Sequence, residues 1–196
     1  MIAIPVLRFL SVGFMFLMAV GFVGNAAAND EIWNKLKQGG KVVLIRHAAT
    51  QQGSEAGNPL VRDLGCKKER NLSAKGRQDA KLLGKRFRER NIPVAEVRHS
   101  PYCRTTDTAG LAFGKVIPAK YLSLLEVLGA DAAEEQTAQL GQVIGSHSGK
   151  GNLILVTHAP NIGAISFELL SFADFVVFQP KGGDEFEELG IVKFTE

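Results

Sequence analysis

At 196 residues, with 23 basic against 20 acidic side chains, the chain is long enough for one domain with a full core. A net charge of +3 and the lack of any basic stripe interleaved with aromatics give no footprint for nucleic acid. No repeat, low-complexity tract or internal linker divides the sequence.

The N-terminus reads as a targeting segment. Arg8 carries the only side-chain charge before Asp30, and Phe9–Gly24 is an apolar run followed by Asn25-Ala26-Ala27-Ala28. Charge, apolar core and Ala-x-Ala is the order of a secretory signal, so 1–28 is expected to be a signal peptide cleaved after Ala28. An uncleaved N-terminal membrane anchor is the alternative, for which the apolar run is short. Cleavage leaves 168 residues, 29–196, as a single domain, exported to the periplasm or secreted. In such an oxidising compartment the only two cysteines, Cys66 and Cys103, are able to pair, although sequence does not bring them together.

Asp30 to Lys37 has the pattern of a short helix stopped by Gly39-Gly40. KVVLI, residues 41–45, is short, apolar and β-branched, the signature of a buried strand. The polar stretch Gln51 to Arg70 reads as a long loop, and long loops in compact domains tend to be functional. Ser73 is positioned to cap a helix reaching about Arg90, with Ala80, Leu83 and Phe87 on one face. Ile92 to Arg98 predicts a strand, and Ser100-Pro101 an N-cap and first turn for a helix through Arg104 to Phe113. A helix over Ala132–Ile144, the strand NLILVT (152–157) and a helix over Asn161–Leu170 follow. Phe175–Phe178 and Gly190–Phe194 read as strands. Strands alternating with helices predict an α/β three-layer sandwich, its mostly parallel central sheet flanked by helices and closed by antiparallel strands.

Two histidines stand at strand ends in this scheme. LIRHAAT places Arg46 and His47 after one strand, and NLILVTH places His158 after another. Ligands of parallel sheets bind beyond the carboxyl ends of the strands, so neighbouring strands would turn both imidazoles into one pocket. Arg46 supplies a permanent charge with a planar fork suited to phosphate, and Arg104 falls near a helix start. Two arginines and two histidines in one pocket call for a dianion, and phosphate fits. His47, beside Arg46, is the candidate nucleophile, since a neutral imidazole attacks phosphorus once its other nitrogen is pinned. Arg46, Arg104 and a protonated His158 would hold the phosphoryl oxygens. Glu126, set among leucines in LLEVL, is the candidate proton donor, on the expectation that partial burial raises its pKa.

These segments resemble the histidine phosphatase superfamily, the phosphoglycerate-mutase-like fold. LIRHAAT looks like its Leu-x-Arg-His-Gly-x-Thr signature, with Ala48 at the glycine. Asn71–Ala80 is similar to its Leu-Ser/Thr-x-x-Gly-x-x-Gln-Ala helix start, with Asp79 at the glutamine. Ser100–Ala109 resembles Ser-Pro-x-x-Arg-x-x-x-Thr-Ala, and Val156-Thr-His158 its second histidine. The matches keep the family's order across about residues 41–178. Ala159-Pro160 follow His158 where the acid-phosphatase and phytase branch carries an aspartate donor, so the resemblance is to a small member of the other branch. It implies a phosphohistidine at His47, a phosphate pocket of Arg46, Arg104 and His158, no cofactor and no metal.

Blander readings exist for each residue. Arg104 has Asp107 as a possible ion-pair partner, His99 reads as structural, and His147 as a loop residue. Arg62, Lys67, Lys68 and Arg70 read as solvated loop charge. A cysteine phosphatase is excluded, because the sixth residue after Cys66 is Leu72 and after Cys103 is Ala109, not arginine. A zinc hydrolase on His47, His158 and Glu126 lacks a close ligand pair and has Arg46 to repel the cation. The expected activity is hydrolysis of a phosphorylated small molecule or envelope component, with no nucleic-acid partner and no stable membrane partner after cleavage. A non-catalytic phosphate-binding or regulatory protein that keeps the pocket is the alternative.

Overall fold

In the computed structural model, which describes residues 24–194, the apolar runs become strands of one sheet. The order is α1 (Gly24–Lys37), β1 (Val42–Arg46), α2 (Ala74–Glu89), β2 (Val94–His99), α3 (Cys103–Phe113) and a short β3 (Ile117–Pro118). Single 3-10 turns at Lys120–Leu122 and Leu125–Val127 lead to α4 (Ala130–Gly145), β4 (Asn152–Thr157), α5 (Ala159–Ser166), β5 (Phe175–Gly182) and β6 (Glu185–Val192). The strands lie in the order β3-β2-β4-β1-β5-β6. The first four are parallel, and β5 and β6 join antiparallel, giving the mixed, mostly parallel sheet expected. β1 and β4 are direct neighbours, with Arg46 beside Thr157, so both histidine-bearing ends open at one place.

Alternation along the strands divides the core in two. Val43, Ile45, Ile154, Val156, Phe175 and Val177 face α1, α2 and α3, where Trp33 meets Phe87 and Phe175 edge-on at 5.1 and 5.4 Å. Val42, Leu44, Leu153, Leu155, Val176 and Phe178 face the other layer, packing on Leu140, Ile144 and Ile162 of α4 and α5. Both faces of β1 and β4 are therefore covered, which explains their unbroken apolar runs.

Several boundaries differ from expectation, each for a local reason. α1 begins at Gly24 rather than Asp30. The leader expected over 1–28 lies, up to residue 23, outside the described residues. Among the described residues no helix is long and apolar enough to cross a membrane. Ser100 is not the cap of α3: its N–H continues the sheet to the Val156 carbonyl at 2.9 Å, and the helix starts later, after Tyr102. α5 stops at Ser166 instead of reaching Leu170, because Phe167 turns left-handed, with φ 59°. β5 and β6 form a longer hairpin than the sequence suggests, turning through Gly182 and Gly183 at positive φ. The two-residue β3 was too short to read.

Two contacts hold the segments around the pocket. The cap at Ser73 is as expected, its Oγ accepting from the Gly76 N–H at 3.0 Å. Gly76 itself lies against the chain just past His47, where a Cβ would come within 1.9 Å of the Ala49 carbonyl oxygen. The second contact is covalent: Cys66 and Cys103 form a disulfide, with Cα atoms 5.9 Å apart and a sequence separation of 37. It ties the long loop to the first residue of α3. Closing a loop of that length stabilises the fold by about 4 kcal/mol through the unfolded chain. A Cys66→Ser/Cys103→Ser variant should lose roughly that amount, read as a lower urea midpoint, with an m-value that rises because the uncrosslinked unfolded chain exposes more surface. A midpoint equal to that of the oxidised protein would show the loop to be held without the bond.

Candidate active site

The end of β1 is gripped on both sides. His47 N–H bonds the Thr157 carbonyl at 3.0 Å, and Ala173 N–H bonds back to the Arg46 and His47 carbonyls at 3.2 and 3.3 Å. The His47 ring is 7% exposed, and its Nδ1 lies 2.9 Å from the Ala48 carbonyl oxygen. A carbonyl only accepts, so Nδ1 carries the proton and Nε2 keeps its lone pair. Burial, with the charges of Arg104 and Arg46, lowers the His47 pKa to about 3 despite that hydrogen bond. The imidazole is neutral at physiological pH.

His158, at the end of β4, is 1% exposed and meets the His47 ring edge-on at 5.5 Å. Arg104 Nη2 donates to its Nδ1 at 3.1 Å. Arginine is donor only, so the proton sits on Nε2 and is given to Ser100 Oγ at 2.8 Å. Burial first, then the charges of Arg104, His47 and Arg46, hold His158 well below the ordinary histidine pKa. Ser100, expected as a helix cap, instead orients this second imidazole.

The start of α3 is also occupied differently than expected. The Cys103 N–H donates to Glu69 Oε2 at 2.8 Å, and Glu69 Oε1 accepts from the Asp63 N–H at 2.9 Å. A buried carboxylate from the long loop thus takes the positive helix end, which the sequence suggested for a ligand. Glu69 also favours the charged form of Arg104, opposing the burial that disfavours it.

Both arginines are held and both are incompletely used. Arg46 Nη1 donates to the Leu170 carbonyl at 2.6 Å, and the guanidinium lies over the Phe172 ring at 4.1 Å. Arg104 lies over Tyr102 at 4.5 Å. Asp107, its possible ion-pair partner, binds Arg77 at 3.0 Å instead. Arg46 Nε and Arg104 Nη1 are buried and have no hydrogen-bond partner. Buried guanidinium N–H groups without acceptors are costly, and an anion would satisfy both.

Arg46, His47, Arg104 and His158 line one cavity of about 410 Å³, so the four residues predicted for the phosphate pocket are brought together. Glu126 lines it as well, but the expectation of a partly buried carboxyl is overturned. On its 3-10 turn Leu124 takes the buried position and Glu126 is exposed. Ala48 does not crowd the site: its methyl packs on Leu72 and Ala80, and its N–H donates to Thr108 Oγ1 at 3.0 Å. His99 is structural, bonded to the Ser100 carbonyl at 2.7 Å, and His147 bonds the Gly151 carbonyl at 2.9 Å in its loop.

Thr50, Arg70 and Phe172 also line the cavity. Arg70 was legible only as loop charge, and Phe172 follows α5 without any periodicity to mark it. Among the described residues no three His, Cys, Asp or Glu side chains converge to hold a metal ion. A second cavity of about 440 Å³, lined by Phe87, Arg88, Glu96 and Lys115 among others, has no histidine.

The family described as the histidine phosphatase superfamily (branch 1) matches residues 42–137, from β1 into α4. No curated protein matches the chain by sequence. Among solved structures, Bacillus stearothermophilus YhfR is similar at 17% identity and TM-score 0.59, over 80% of this chain and 99% of that one. Phosphoserine phosphatase from Entamoeba histolytica, solved with 3-phosphoglyceric acid, is similar at 14% identity and TM-score 0.56, over 77% and 95%. The protein histidine phosphatase SixA, complexed with tungstate, is similar at 11% identity and TM-score 0.52, over 79% and 97%. At these identities the likenesses show a shared fold. The segment from β1 into α4, with its Arg46-His47 strand end, is thus matched to the histidine phosphatase superfamily, on a fold shared with these structures.

Proposed function

We propose that the chain is an exported, metal-independent phosphomonoester hydrolase that works through a phosphohistidine on His47. The observation that carries this reading is the pair of unpartnered guanidinium N–H groups, Arg46 Nε and Arg104 Nη1, on two arginines that line one cavity with a neutral His47. A phosphoryl dianion supplies the acceptors those groups lack. Its charge also raises the proton affinity of His158; protonated at Nδ1, the ring gives up its hydrogen bond from Arg104 and serves as a third donor. His47 Nε2 attacks phosphorus as the bond to the leaving oxygen breaks, and Arg46 and Arg104 hold the equatorial oxygens. Glu126, the carboxyl at the mouth, gives the leaving alcohol its proton. It then takes one from the water that displaces His47, releasing phosphate and restoring the free imidazole. The disulfide and the apolar run at Phe9–Gly24 support export to the periplasm or beyond the cell, with residues 29–196 as the single working domain. The substrate class is a phosphorylated small molecule or envelope component.

The nucleophile is tested with a panel of phosphomonoesters in the presence of chelator. Wild-type protein should release phosphate and trap an acid-labile phosphoenzyme. His47→Ala should trap none and lose at least about a thousandfold in rate. Phosphate binding without release by the wild type would make the chain a phosphate binder instead.

Leaving-group dependence tests Glu126. Glu126→Gln should cost about 10²-fold or more in kcat/KM on alkyl phosphates and much less on nitrophenyl phosphate, whose leaving group needs no proton. Equal losses on both substrates would remove Glu126 from the donor role.

The buried neutral His47 also has a stability consequence. Its folded pKa of about 3 lies below the ordinary 6.5, so the unfolded chain binds the extra proton between those values. Stability from this group is full above about pH 6.5 and falls as pH drops toward 3, by about 1.4 kcal/mol per unit. Urea midpoints across that window should fall less steeply for His47→Ala than for wild type.

A further inference from the structure

The mouth of the cavity differs from its floor. The wall contributed by α5 and the segment after it is Ala159, Pro160, Gly163, Leu169 and Phe172, which offers no side-chain hydrogen-bond donor or acceptor. A sugar, or the backbone of a peptide, would leave polar groups unpaired against it. The apolar character continues outward: Leu169 is 92% exposed, Phe167 90% and Leu64 85%, and Leu60 and Val127 are exposed too. Leu60 follows the cavity-lining Pro59, Val127 follows Glu126, and Leu169 itself lines the cavity. Three separate chain segments that reach the cavity thus bear exposed apolar side chains nearby in sequence. Single exposed leucines mean little, but a group of them around a site marks a contact surface.

Around Leu64 the exposed charge is of one sign. Arg62, Lys67 and Lys68 are exposed, whereas the two acids nearest them, Asp63 and Glu69, are engaged by backbone N–H groups; Glu55, earlier in the loop, is exposed. Asp63 accepts from the N–H groups of Gly65, Lys67 and Lys68, and Glu69 from those of Asp63 and Cys103. Glu168 is the acid between Phe167 and Leu169, and Glu126 is the exposed acid of the cavity lining, so the exposed cations are concentrated beside Leu64 rather than around the whole mouth. The disulfide and Glu69 anchor this loop, so Leu64 projects from a fixed support. Apolar side chains projecting beside cations form the kind of surface that enters the headgroup layer of an anionic bilayer.

We propose that the mouth docks on an anionic lipid surface and that the substrate is a lipid-borne phosphomonoester. Its apolar body lies against Leu169 and Phe172 while its phosphate reaches His47. The substrate assignment rests on the phosphatase reading above; the docking does not. The contact is peripheral and reversible, made by side chains rather than by a spanning helix.

The test uses the full chain and a reporter at the mouth. Trp33 is the only tryptophan and is buried, so an indole introduced by Leu64→Trp reports on that loop. Phosphatidylcholine vesicles containing phosphatidylglycerol should shift its emission to the blue and expose it to brominated-lipid quenching. Vesicles of phosphatidylcholine alone should do so much less. Leu64→Ser/Phe167→Ser should hydrolyse soluble nitrophenyl phosphate as the wild type does, but release phosphate from phosphatidic acid in anionic vesicles about tenfold more slowly or worse. An unshifted indole, or equal loss on soluble and vesicle-borne substrates, overturns the proposal. Rapid hydrolysis of phosphopeptides with no response to vesicles overturns it in favour of a protein substrate. A wild type inactive on every phosphomonoester but with a responding indole would sink the phosphatase reading and leave the docking standing.

Discussion

The hydrogen bond from His47 Nδ1 to the Ala48 carbonyl sets the terms for the rest of the site. It fixes which ring nitrogen is free. Burial first, and then the charges of Arg104 and Arg46, keep that nitrogen unprotonated, so the cations that would bind substrate also help hold the imidazole neutral. Placing them there is expensive, since burial works against the charge of both Arg46 and Arg104. The scaffold offsets the cost in several ways. The Leu170 carbonyl and the Phe172 face serve Arg46, and the Tyr102 face, His158 and the charge of Glu69 serve Arg104.

Much of the remaining architecture keeps this cluster rigid. β1 and β4 are inner strands of the sheet, with neighbours on both sides and helices on both faces. Ser100 links the end of β2 to His158, so three adjacent strand ends are joined across the floor. The long loop is drawn in by a covalent bond and by a carboxylate on the start of α3. Arg104 is the next residue along.

How far the sequence revealed this depends on the range of the interaction. Runs such as NLILVT mark strands because they are buried on both faces, and Arg46, His47, Arg104 and His158 stand at fixed offsets from those runs. Local spacing therefore anticipated that the four residues share one cavity. Ser100 misled because Ser-Pro has a valid local meaning as a helix start, and its actual partner is 58 residues away. Glu126 misled because leucines on either side suggest burial, whereas a 3-10 turn sets successive side chains about 120° apart and leaves Glu126 facing outward. Glu69 and Phe172 were illegible: one works through a helix end distant in sequence, the other through the face of an arginine. The cysteines were visible as a pair, but their meeting depended on the path of a loop without periodicity.

That disulfide also changes how the molecule responds to being pulled. The segment between Cys66 and Cys103 contains all of α2 and β2, an inner strand and a helix of the main core. With the bond closed, force applied at the termini bypasses this segment. Spanning a sequence separation of 37, it would otherwise pay out roughly 120 Å of extended chain. An unfolding motor or translocation pore that threads the chain from one end would meet a double strand at Cys66 or Cys103. Once oxidised, the protein resists being reeled through a narrow channel, however far the rest of the sheet has come apart.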